Sequence, residues 1–200
     1  MSYSREEFAL HMQKWNSLLN NYKLPTWDEL PRIDLYMDQV IALMNQYLTE
    51  FLPSSEEGSP TLTPPMINNY VKLKVMPAPV KKRYSKIHIA YLIMLCSLKQ
   101  ALSIPTMQKI IPLMEDEEKV RDLYETFCTN QYKAFAYITE KVSAVTDPLL
   151  KEADINPQRM YDLAVQISVS ANVFKMLSDD VAAIKHIDTP EATKVSENDE

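Results

Sequence analysis

The chain has 200 residues, a formal net charge of −6 and a single glycine, Gly58, where an average protein of this length carries roughly 14. Phosphate-cradling loops, dinucleotide fingerprints and nucleophile elbows all need glycine where backbone turns sharply or closely approaches a ligand, so these classes are excluded. Tight hairpins also favour glycine, which argues against a large antiparallel sheet and leaves an all-α chain with helices joined by Pro, Ser and Asn turns.

Ser4 and Glu7 have the spacing of a capping box, which predicts a helix over 4–22 with Phe8, Met12, Trp15, Leu18 and Leu19 on its apolar side. Pro25 and Pro31 bracket a turn holding Trp27. A second helix is predicted at 34–52 from Leu35, Val40, Leu43, Met44, Tyr47, Leu48 and Phe51, followed by a loop over 53–60. Thr63 is a good N-cap with Pro64 behind it, opening a short helix to Leu73 that Met76, Pro77 and Pro79 stop. Residues 80–84 read as extended. Ser85 caps a helix to Leu102 that is apolar on most sides and therefore buried, with His88 expected on its exposed side. A short helix at 106–112 and two long amphipathic helices over 115–186 complete the pattern. The break from Asp147 to Asn156 suits an antiparallel helical hairpin. From Asp188 the chain is polar and acidic, the composition of a disordered tail.

The charge is unevenly placed. Residues 1–57 hold four basic and nine acidic side chains, and residues 115–200 hold nine and eighteen. Between them, 57 consecutive residues contain no Asp or Glu and eight cations: Lys72, Lys74, Lys81, Lys82, Arg83, Lys86, Lys99 and Lys109. A basic centre between acidic flanks is the electrostatic footprint of a polyanion-binding module. On the 65–73 helix, Ile67, Tyr70 and Val71 share one face and Asn68, Asn69 and Lys72 another. Asparagine can pair bidentately with an adenine edge in the major groove, and lysine can reach guanine or phosphate. Lys81, Lys82 and Arg83 suit phosphate contacts beside a groove-bound helix. Tyr84 is expected to anchor this segment in the core.

Residues 63–111 resemble the DNA-binding domain of the mercury-resistance regulator (MerR) family. Met66-Ile-Asn-Asn-Tyr70 matches its recognition helix, Val75-Met-Pro-Ala-Pro79 the following turn, Arg83-Tyr-Ser85 the end of its wing, and Ile87 to Leu95 its next helix. In that family a glycine stands at the position of Lys74, where a left-handed cap would strain a lysine. A second resemblance covers about residues 24–112, through Ile33–Val40, Met66–Val71, Val80–Tyr84 and His88–Ile93. These runs are similar to a bacterial domain-of-unknown-function family, number 1836. The resemblance to MerR proteins implies a winged helix-turn-helix and duplex DNA as partner, with Thr63, Asn68, Asn69, Lys72, Lys74, Lys81, Lys82, Arg83 and Lys86 as the contacting set.

The expected organisation is an N-terminal helix and turn (1–32) packed on a winged helix-turn-helix (33–112), a C-terminal hairpin (113–187) for homodimerisation or for a small-molecule or protein effector, and the tail (188–200). His11, His88 and His186 are scattered, and Cys96 and Cys128 lie in apolar stretches as small hydrophobes, so no metal, cofactor or enzymatic activity is expected. The first residues lack the basic flank and apolar core of a secretory signal, and the longest apolar run, Ile89 to Cys96, is far below the roughly 20 residues that span a bilayer. A soluble, cytoplasmic protein without a membrane partner is expected. The rival functional reading is a helical adaptor whose basic face docks an acidic protein and which does not bind DNA.

Overall fold

A computed structural model describes residues 3–48, 62–152 and 154–184. Among them the chain is all-helical: α1 (Arg5–Asn21), α2 (Met37–Leu48), α3 (Pro64–Lys72), α4 (Lys86–Leu98), α5 (Ile104–Ile110), α6 (Glu117–Thr146) and α7 (Pro157–Ala183), with single 3-10 turns at Trp27–Glu29 and Leu149–Lys151. Extended pairing among these residues is limited to three isolated antiparallel bridges, Tyr3–Ile155, Leu35–Tyr84 and Val80–Arg83.

The larger core forms around α4. Every residue from His88 to Cys96 is buried, as expected for a helix with apolar side chains on all sides. Helices α2 and α6 pack on it, and Trp27, Leu30, Met44, Ile67, Tyr70, Met107, Val120 and Tyr124 close the cluster. Two buried tyrosines satisfy main chain that the helices leave free. Tyr91 donates to the Pro112 carbonyl at 2.7 Å and accepts from the Met114 N–H at 2.8 Å. Tyr124 donates to the Pro25 carbonyl at 2.7 Å. A smaller core joins Phe8 of α1 to Leu149, Ile155 and Leu163.

Several expectations are corrected by this packing. Helix α1 packs chiefly on α6 and the 149–151 turn, with Phe8 and Met12 in the smaller core, while its C-cap Tyr22 donates to the Tyr47 carbonyl of α2 at 3.1 Å. Ser4 caps α1 by accepting the Glu7 N–H, as half of a capping box does, and its hydroxyl donates to Glu6 Oε2 at 3.0 Å. Helix α2 starts at Met37, since Leu35 is engaged in its bridge to Tyr84. Helices α4 and α5 begin and end within a few residues of their expected limits, with Ser103 capping α5 through the Thr106 N–H. The expected hairpin does not close: α7 returns to α5, where Thr106 Oγ1 donates to Asp179 Oδ1 at 3.1 Å, and leaves a cleft against α6. The loop over 53–60 and the tail from 188 lie outside the described residues.

Candidate nucleic-acid interface

Helix α3 is short and amphipathic. Ile67 and Tyr70 are buried, while Asn68, Asn69 and Lys72 are exposed together. Burial pushes the Tyr70 phenol up to about 12, so it is a neutral core group. The N-terminus is unusual for an anion site. Pro64 and Pro65 carry no N–H, and the Met66 and Ile67 N–H groups bond to the Thr63 carbonyl at 3.0 and 3.2 Å. Thr63 is the N-cap, half-buried, without a side-chain cap bond. Helix N-termini usually hold phosphates through free backbone donors. Here those donors are removed or used, so α3 can act on a ligand only through its side chains.

At its other end, α3 closes in a Schellman motif: the Val75 N–H reaches the Tyr70 carbonyl and the Lys74 N–H the Val71 carbonyl, both at 3.0 Å. This motif requires a left-handed residue at Lys74, which has φ 55°. Gln108 of α5 donates to the Leu73 carbonyl, fixing α3 to the body of the molecule.

The expected extended segment 80–84 is instead a tight hairpin tip. Val80 and Arg83 exchange backbone hydrogen bonds of 3.2 and 2.9 Å, and the two residues between them, Lys81 and Lys82, have φ 49° and 62°. Two consecutive left-handed residues are the geometry of a type I′ turn, which strongly favours Asn-Gly. With lysine at both positions, the turn carries no such mark in the sequence.

Tyr84 and His88 anchor this tip. The backbone of Tyr84 pairs in both directions with Leu35 at 2.9 Å, and its buried ring meets His88 edge-on at 5.6 Å. His88, expected on an exposed face, is buried. Its Nδ1 accepts the Ser85 N–H at 2.9 Å, and its Nε2 lies 3.2 Å from the Ala78 carbonyl. These contacts require the neutral tautomer with the proton on Nε2. Burial lowers the His88 pKa from its ordinary value, opposed by the Ala78 contact and by Asp34. It therefore caps α4 and ties the 74–80 segment to that helix.

Arg83 and Lys86 rest on aromatic rings outside the basic stretch. The Arg83 guanidinium lies 5.0 Å from the Tyr36 ring centre and donates to the Tyr36 hydroxyl at 3.0 Å. The Lys86 ammonium lies 4.9 Å from the ring centre of Trp27. Neither aromatic partner was identifiable from sequence spacing, since both precede the basic stretch by dozens of residues. Lys72, Lys74, Lys81, Lys82 and Arg83 are exposed and Lys86 half-buried. Among the described residues none of the six forms an ion pair; the salt bridges found there belong to Arg5, Arg121, Lys141 and Arg159. Within the described residues, then, these cations have no carboxylate that an external anion would have to displace.

Cys96 is buried, with its thiol pushed up to about 11 by desolvation, and Cys128 is half-buried; both are free thiols. Among the described residues no group of three or more His, Cys, Asp or Glu side chains could hold a metal ion, and no helix is long and apolar enough to cross a membrane.

Neither curated proteins nor solved structures match the chain significantly. The family described as Domain of unknown function (DUF1836) matches residues 25–135, a span that includes the larger core, the basic module and the first half of α6. The chain belongs to the DUF1836 family.

Proposed function

We propose that this protein is a DNA-binding transcriptional regulator with a MerR-like winged helix-turn-helix, α3 lying in the major groove and the 80–83 turn serving as a short wing. Asn68 and Asn69 face base edges. Lys72, Lys74, Lys81, Lys82, Arg83 and Lys86 meet phosphates, with Thr63 at the entry to the helix. One observation carries the reading: the non-glycine residues with positive φ among those described are Lys74, Lys81 and Lys82. A left-handed conformation costs an L-residue roughly 1–2 kcal/mol, and such strain clusters at functional sites. Glycine would take each position without that cost, so the charged side chain is what the strain retains. All three lie in the stretch that lacks acidic residues, on either side of the turn that follows α3.

The test is a mobility shift of random-sequence duplex DNA at low salt, followed by selection of preferred sites from fragmented genomic DNA. A shift is expected, and Asn68→Ala or Asn69→Ala should cost about 1–3 kcal/mol at particular base pairs while leaving non-specific binding nearly intact. Absence of any shift would favour the adaptor reading, in which the same cations dock an acidic protein.

A further inference from the structure

The hairpin tip is joined to the segment that precedes α2. Leu35 is bridged to Tyr84 and Val80 to Arg83, which makes a minimal antiparallel patch of three chain segments: 35–36, 83–84 and 80. The register set by Leu35 and Tyr84 puts Tyr36 opposite Arg83, and side chains directly opposite each other leave on the same face. Leu35 and Tyr84 are buried, so alternation turns Tyr36, Arg83 and Val80 outward, where all three are exposed. Arg83 stands in the middle of this row.

Tyr36 differs from the aromatic residues around it. Trp27, which lies under the Lys86 ammonium, is buried in the larger core, and so is Tyr84. Tyr36 is 49% exposed and does not belong to that core. Its main chain is fixed without the ring: the N–H donates to Gln39 Oε1 and the carbonyl accepts the Val40 N–H, both at 2.9 Å. Its side chain instead engages Arg83, 47 positions later in the chain, through ring and hydroxyl alike. An exposed arginine without such support samples many rotamers, and ordering it offsets part of any contact it later makes. Here one of the five guanidinium N–H groups goes to the Tyr36 hydroxyl. Among the described residues no carboxylate pairs with the guanidinium, Asp34 two positions before Tyr36 included.

We infer that Tyr36 is a positioning residue of the nucleic-acid interface, holding the Arg83 guanidinium, before DNA arrives, in the orientation in which it meets a phosphate. The inference rests on the DNA-binding reading above. It extends the interface beyond the basic stretch, to a residue that carries no charge and precedes that stretch by dozens of positions.

The test is a double-mutant cycle of Tyr36→Ala and Arg83→Ala in the full chain, read by binding of random-sequence duplex DNA at low salt. Tyr36→Ala should weaken binding about two- to tenfold, the cost of immobilising one long side chain. In the Arg83→Ala background the same change should cost nothing more. Tyr36→Phe, which keeps the ring and loses the hydroxyl, should lose less than Tyr36→Ala. In the protein without DNA, the Arg83 Nε–Hε group should be ordered in heteronuclear NOE measurements and lose that order in Tyr36→Ala. If Tyr36→Ala does not fold, Tyr36→Leu takes its place in the cycle. A ring that only supports the fold, or one that itself touches DNA, would weaken binding by the same factor in both backgrounds, and that result overturns the inference. So does a wild type whose binding is indifferent to Tyr36→Ala, or an Arg83 side chain already disordered in the wild type. A wild type that binds no duplex overturns the DNA-binding reading and this inference together, so the wild-type curve tells the two failures apart.

Discussion

Lys74, Lys81 and Lys82 adopt backbone conformations that glycine accepts freely, and that conflict yields a prediction in two directions. Replacing each by Gly relieves the left-handed strain but adds unfolded-state entropy, for a net stabilisation of about 0.5–1 kcal/mol per site. Urea denaturation should show the gain, while DNA affinity falls. A site chosen for stability alone would give no such trade. His88 supplies a second prediction. Its folded pKa lies below the ordinary histidine value, chiefly because it is buried. Below about pH 6.5 the unfolded chain then binds a proton that the folded chain resists. The contribution is present in full above that pH and is lost as the pH falls towards the folded value. The wild type should therefore lose stability between about pH 7 and 5.5 by more than His88→Asn, which removes the titrating ring but keeps an acceptor for the Ser85 N–H.

At the scale of elements, helices were legible in the sequence because their signals are local. Ser4, Thr63 and Ser85 mark helix starts, whereas Ser103 caps α5 ahead of its expected start at 106, and the continuous apolar run of α4 announced a buried helix. Which helix packs on which was harder to read. Nothing in the spacing says that α1 rests on α6, or that α7 would be held at both ends and stay apart from α6. The exposed face of α3 was legible from its period. The hairpin tip was not, since its lysines occupy positions that normally advertise themselves as glycine or asparagine, and the support from Tyr36, Trp27 and His88 is tertiary. Packing also sets a prediction for the join between α5 and α6. Tyr91→Phe would leave the Pro112 carbonyl and the Met114 N–H without the hydroxyl that serves both. Thermal unfolding should report a loss of about 1–3 kcal/mol, the cost of buried polar groups left unpaired.

Over the whole molecule, charge and apolar surface are segregated. Six exposed or half-buried cations lie on or just after α3 and in the 80–86 segment, within the stretch that lacks acidic residues, whereas ten of the exposed large apolar residues lie between Tyr161 and Ile184. Binding through half a dozen cations is weak and salt-sensitive by itself. Recognition of a specific site by so small a unit gains from two copies reading paired half-sites. The central claim concerns the strained lysines and is most directly tested by the salt dependence of duplex DNA binding in the wild type and in the double variant Lys81→Gly/Lys82→Gly, which keeps the turn and is predicted to be the more stable protein. The slope of log affinity against log salt should fall by about 2 in the double variant, at about 0.9 for each phosphate that is no longer neutralised, with affinity weakened alike on all sequences. An unchanged slope and affinity in the folded double variant would contradict the account.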